Sequence, residues 1–322
     1  MTNQLKPQNI AKGMFWATMA SALWGVSGTI LEFISQGQKV PATWFLSVRT
    51  LGAGLILLLI GAIKFKQDIF SIFKSKRLTA WLIAYALFGI MGNQYTFFMS
   101  IQTGNAAAAT ILQYLSPLFI VIGTLAFVRK WPNRIDLISF GIALVGVFLS
   151  ITKGNIHTLT IPFNSLIWGI LSGVTAAFYV VLPRPIVNEK SPILVLGWGM
   201  FISGILFNIN RPFWQAPPHL NGSGIIAILA VILIGTVFAY LCLLHSLNFA
   251  PSTVISIVDA VQPVITFILS IIFFHSKFSW VEMSGAILVI LAITSYNAIK
   301  KRTDNHSPNQ KSAFFRRSYC VA

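Results

Sequence analysis

The sequence predicts an all-α membrane protein, ten transmembrane helices arranged as two inverted five-helix repeats around a central cavity. Three observations carry that reading. Of 322 residues, 56% are hydrophobic and 9% charged, against about 25% charged in an average soluble domain. The apolar residues fall in stretches near the roughly 20 residues that a bilayer core requires. And an apolar stretch holding a proline, GNAAAATILQYLSPLFIVIGTLAFVRK at 104–130, returns 146 residues later as APSTVISIVDAVQPVITFILSIIFFHS at 250–276.

The elements follow from hydropathy and punctuation. A short segment, 1–12, precedes the first span at about 13–33, whose apolar run exceeds the 7–15 residues of a signal-peptide core. Pro41 opens the second span, 41–63, and Lys64 and Lys66 follow it. Lys74, Lys76 and Arg77 precede the third, 78–99; the fourth is 104–128, ending at Arg129 and Lys130; the fifth, 133–151, follows Pro132. A connecting loop, 152–162, leads to spans at 163–182, 191–209, 222–247, 250–274 and 279–298, then to a basic tail, 299–322, expected to be disordered. Most prolines sit at or between span ends, where a missing N–H costs little. Only Pro117 and Pro263 lie deep within spans, as helix breaks or hinges.

Orientation follows from the lysines and arginines. With the N-terminus in the cytoplasm, eighteen fall on the cytoplasmic side and four (Lys39, Lys153, Arg211, Lys277) on the other; Arg49 is inside a span. Both termini are therefore expected in the cytoplasm of a bacterial cell, with the chain in its inner membrane. The net charge of +16 lies in loops and tails without a basic stripe interleaved with aromatics, so lipid, not nucleic acid, is the expected partner.

At the offset of 146, Gly89 meets Gly235, Ser100 meets Ser246, Gln113 meets Asp259, Pro117 meets Pro263 and Asp136 meets Glu282. Five spans per half is an odd number, so the second half must sit upside down relative to the first. Secondary transporters are built this way, with the site near the midplane between repeats.

Polar groups in lipid are expensive and point to function. Asp259, about nine residues into span nine, is the sharpest candidate: it would bind a cationic group or carry a coupling proton, or serve as packing glue through a neutral hydrogen bond. Arg49, eight residues into span two, would pair with Asp259, snorkel outward or touch substrate. Gln113, Asn93 and Gln94 offer hydrogen bonds for binding or for packing. Glu32 closes span one as a gate or as an interfacial carboxylate. Trp24 lies mid-span, away from the interfacial belt, as a cavity wall or a close helix contact.

Chemistry of other kinds lacks its residues. The sequence has no HExxH, GxSxG, Walker or CxxC motif, and its five histidines are scattered. Cys242 and Cys320 form neither a metal-ligand pair nor a disulfide framework. No enzyme, metal or cofactor is expected.

The segments SALWGVSGTI, VRTLGAGLILLL, QYTFFMSIQTGNAAAATILQYLSPLFIVI and AYLCLLHSLNFAPSTVISIVDAVQPVITFILSIIFF resemble the EamA-type branch of the drug/metabolite transporter superfamily. The likeness spans about residues 13–298. It implies two inverted repeats, a central cavity and a small-molecule metabolite as substrate, often an amino acid moved outward. Trp24, Gly25, Arg49, Pro117 and Pro263 match recurring family positions, and Asp136 and Glu282 match the acid that opens the last helix of each repeat. Ser100 and Ser246 depart mildly from the small residue usual there. The expectation is a secondary transporter working by alternating access, with a proton as a coupling candidate. The alternatives are a membrane-embedded binding or assembly subunit and a multidrug exporter.

Overall fold

The computed structural model describes residues 9–129, 131, 134–155, 159–210, 212–215, 217–250, 255, 258 and 261–306. Among them there is no strand. The helices are α1 Ile10–Glu32, α2 Ala42–Phe65, α3 Lys76–Ala84, α4 Gly92–Thr103, α5 Ala106–Gln113, α6 Ser116–Val128, α7 Arg134–Thr152, α8 Phe163–Val181, α9 Arg184–Val187, α10 Pro192–Asn210, α11 Gly222–Ile232, α12 Ala239–Ser246, α13 Val261–Phe274 and α14 Trp280–His306. Wide π turns extend α1 (Phe33–Gly37), join α3 to α4 (Tyr85–Met91) and join α11 to α12 (Leu233–Phe238).

Among the described residues, six stretches are long and apolar enough to cross a bilayer: Ile10–Gly37, Ala42–Phe65, Ala106–Ala126, Phe163–Val187, Pro192–Ile209 and Gly222–Ser246. Leu137–Thr152, Val261–Phe274 and Trp280–Ala292 are shorter apolar helices.

Side-chain oxygens start several helices by taking backbone N–H groups that have no intrahelical partner. Asn9 accepts from Lys12 N, Asn105 from Ala108 N and Asn221 from Gly224 N. At α14 the exchange is reciprocal, with Ser279 N donating to Glu282 Oε2 (2.6 Å) and Glu282 N to Ser279 Oγ (3.2 Å), a capping box. Here the acid opening the last helix has its physical reason.

Polarity runs opposite to that of a water-soluble bundle. Ser47, Thr50, Ser100, Thr110, Ser165, Ser172, Ser203 and Thr236 are fully buried, whereas Leu59, Ile63, Ile226 and Phe273 are well exposed. Small polar residues let helices approach closely in lipid, and large apolar side chains face outward at no cost there.

The helices pack as antiparallel pairs. α2 lies along α10, α7 along α14, α8 along α4, and α12 along α1. A Cβ on Gly54 would stand 2.6 Å from Phe201 N, and one on Gly204 would stand 2.8 Å from Leu51 N. Only glycine permits that approach on either helix. α1 also packs on α13, and α8 on α5 and α6.

Candidate functional site

The fourth helical stretch breaks where Pro117 requires it. α5 stops at Gln113, Tyr114 and Leu115 form a turn, and Pro117 is the second residue of α6, a position where its lost N–H has no intrahelical partner. Gln113 is thereby left at a helix end, where its side chain reaches two neighbouring helices. Its Nε2 donates to Asn93 Oδ1 at 2.9 Å and to Ser172 Oγ at 3.1 Å, tying α5 to α4 and α8. One turn along α8, Thr175 Oγ1 shares a 2.9 Å hydrogen bond with Thr96 Oγ1. Gln94, next to Asn93, has a buried Oε1 without a protein partner among the described residues.

A second polar group lies around Arg49 on α2. Its Nε donates to Thr236 Oγ1 at 3.1 Å, within the π turn before α12. Thr236 in turn donates to Val231 O at 2.8 Å, using an acceptor five residues back that the wide turn presents. Tyr179 of α8 and Tyr240 of α12 lie within electrostatic range of the guanidinium. Their hydroxyls are hydrogen-bonded to each other, and the Tyr179 ring lies against that of Tyr85, in the π turn between α3 and α4, with centroids 5.6 Å apart. Trp24 meets Tyr240 edge to face, with centroids 5.2 Å apart. Trp24, Arg49, Asn93, Gln113, Tyr179 and Tyr240 all keep part of their surface accessible, although they lie where helices meet. Such a lining can hydrogen-bond a polar solute, offer it a positive charge and stack an apolar portion of it.

Glu32 stands apart. It is buried, and its Oε2 accepts from Ala106 N at 2.8 Å, so it caps the start of α5 from another helix; it is not an exposed interfacial carboxylate. Gln36 joins it there, donating to Ile101 O (2.7 Å) and Gly104 O (2.6 Å). At this end Ser100 and Ser165 each donate to the other's carbonyl (3.0 and 2.8 Å). Gly13 packs on Ala250 toward the far end of α1, about 28 Å from Glu32 at 1.5 Å per residue. Close contacts between helices thus occur toward both ends of α1.

Pro263 is buried as the third residue of α13. Asp259 lies outside the described residues, and so does any pairing of it with Arg49. No group of three or more His, Cys, Asp or Glu residues suited to a metal occurs among the described residues.

Sequence reasoning passed over Tyr85, Ser172, Thr175, Tyr179, Thr236 and Tyr240. One signal was present: Gly89 and Gly235 align at the repeat offset, and each falls inside a π turn. Such turns gather at functional positions because they widen the helix and expose a carbonyl.

The profile of the EamA-like transporter family matches the chain twice, over residues 11–152 and 163–297. An uncharacterized inner membrane transporter, YicL, of Salmonella typhimurium is 30% identical over 285 residues, covering 88% of this chain and 94% of that protein. A solved crystal structure is similar in fold with a TM-score of 0.61, at 13% identity, over 91% of this chain and 99% of the other. The apolar helices and these matches make the protein a multi-pass membrane protein. It is a transporter by family: the chain belongs to the EamA-like transporter family.

Proposed function

We propose that the protein is a secondary transporter that moves small metabolites, amino acids or related compounds, outward across a bacterial inner membrane. It works by alternating access at the polar joint between two inverted five-helix halves, residues 13–151 and 163–298, linked by 152–162. Both termini and the basic tail, 299–322, lie in the cytoplasm. The observation that carries the reading is the joint itself. Gln113 to Ser172, Thr96 to Thr175 and Arg49 to Thr236 each run from the first half to the second. Polar groups placed where halves meet bind a solute in one arrangement and release it in another.

The inverted halves have further support. Exchanging the halves turns the packing of α8 on α4 into that of α1 on α12, and leaves α2 on α10 and α7 on α14 as they are. It also turns the Gly54–Phe201 contact into the Gly204–Leu51 contact, at a constant spacing of 150. The family profile divides at the same loop. In this reading Pro117 and Pro263 are bending points, Glu32 and Ser100 belong to the outer closure, and Asp259 is the titratable counterpart of Gln113.

The test is flux by the protein alone. Purified protein in proteoliposomes should take up, saturably and above protein-free vesicles, the metabolites that raise its melting temperature. Stabilisation by a metabolite with no flux for any such compound would instead favour a membrane-embedded binding or assembly subunit.

A further inference from the structure

We propose that Arg49, Tyr179 and Tyr240 form a receptor for the carboxylate of the substrate, which makes carboxylate-bearing small solutes the class this protein carries. The inference rests on the transport reading above and adds the chemical group recognised.

Arg49 has no counter-charge among the described residues. A guanidinium inside a bundle is costly unless it is paired. Among the described residues its one hydrogen bond is from Nε to the neutral Thr236 hydroxyl, and the one ion pair, Lys153 with Glu282, is elsewhere. Fastening Nε fixes the plane of the group and leaves the opposite edge, Nη1 and Nη2, as a two-pronged fork. That fork matches a carboxylate, which accepts two parallel N–H bonds. The side chain is partly accessible, so the edge can be reached from the interior.

The surroundings suit the same guest. Tyr240, four residues beyond the Thr236 that holds Arg49, and Tyr179, bonded to it, lie in electrostatic range of the guanidinium and form a hydroxyl pair that can turn one O–H to a carboxylate without adding charge. A single cation balanced by a single carboxylate leaves the site neutral once filled, whereas a dianionic phosphate would leave an excess charge in a medium that penalises it. The edge-to-face pair of Trp24 and Tyr240 provides an apolar wall for the remainder of the solute. Thr236 acts as a positioning residue by holding Nε.

The experiment uses full-length purified protein in nanodiscs and matched probes: acetate with acetamide, 4-methylpentanoate with 4-methylpentanamide, and L-leucine with L-leucinamide. Binding is read by thermal shift and calorimetry. At least one carboxylate should bind about 10- to 100-fold more tightly than its amide, the difference made by charge-assisted hydrogen bonds. Arg49→Gln should remove that preference. Tyr240→Phe, which deletes one oxygen and keeps the ring, should weaken carboxylate binding about 3- to 10-fold, while the ligand-free protein, which loses the bond to Tyr179, melts only modestly lower and stays folded. It therefore tests the site even if Arg49→Gln fails to fold. Amides that bind as well as acids throughout the panel, or a carboxylate preference intact in both variants, would overturn the proposal. Saturable flux of a neutral or cationic solute, undiminished in Tyr240→Phe, would overturn the receptor and leave the transporter reading standing. Carboxylate binding without flux would do the reverse.

Discussion

Arg49 Nε donates to Thr236 Oγ1 across 3.1 Å, so the basic side chain within α2 is fastened to the widened turn between α11 and α12. Thr236→Val removes the acceptor at constant volume and also deprives Val231 O of its hydroxyl donor. Interhelical hydrogen bonds in membranes are worth about 0.6–2 kcal/mol, so the melting temperature should fall modestly, and transport should fall by about tenfold as the guanidinium loses its fixed plane. Thr236→Ser keeps both bonds and should restore flux. Thermal melts and vesicle uptake of the pair check this.

Close packing makes a separate prediction. Gly54→Ala and Gly204→Ala each force a methyl to within 2.6–2.8 Å of a facing backbone nitrogen, so α2 and α10 must part. Overpacking of this kind costs about 1–3 kcal/mol. Gly123→Ala and Gly141→Ala, with open space where the methyl would sit, should match or exceed the parent protein, since alanine favours helix. Melting temperatures of the four variants in one detergent decide the matter.

Glu32 is expected to act as a cap. Glu32→Ala leaves Ala106 N without its acceptor, and loss of a helix cap costs about 0.5–2 kcal/mol. Glu32→Gln retains an oxygen for the same bond and should recover most of the melting temperature. Equal melts for the two variants would contradict the capping role, and equal loss of flux in both would move Glu32 from architecture to coupling.

Gln113 and Asp259 differ in one respect that transport assays can read. Asp259→Asn should abolish or uncouple net transport while leaving insertion and abundance intact. Gln113→Ala should weaken substrate binding through the loss of its bonds to Asn93 and Ser172, about 5- to 30-fold, without changing the response to an imposed proton gradient. Concentration series with and without that gradient separate the two.

Local features were legible in the sequence. Hydropathy located the apolar helices, Pro117 announced the break that leaves Gln113 at a helix end, and the Ser279 to Glu282 spacing is a helix-start signature. What could not be read is which side chains meet across helices, because periodicity describes a helix face and not its neighbour. Nothing in the spacing of Tyr179 and Tyr240 signals that α8 and α12 bring their hydroxyls together. The π turns escaped for another reason: one extra residue per turn leaves composition unchanged, and only the aligned Gly89 and Gly235 hinted at them. The capping of α5 by Glu32 escaped because hydropathy cannot see that the start of α5 lies against it.

Alternating access requires the two halves to separate in turn at each end of the bundle, and Ser100 with Ser165 allows that to be tested. These residues exchange hydrogen bonds across the halves at the end expected to face outward. In a variant lacking Cys242 and Cys320, Ser100→Cys with Ser165→Cys can be joined by oxidation or by a short bifunctional thiol reagent. Vesicle flux should stop on joining and return on reduction, with the protein still folded and each single cysteine variant active throughout. Full flux through the joined protein would contradict alternating access at this interface.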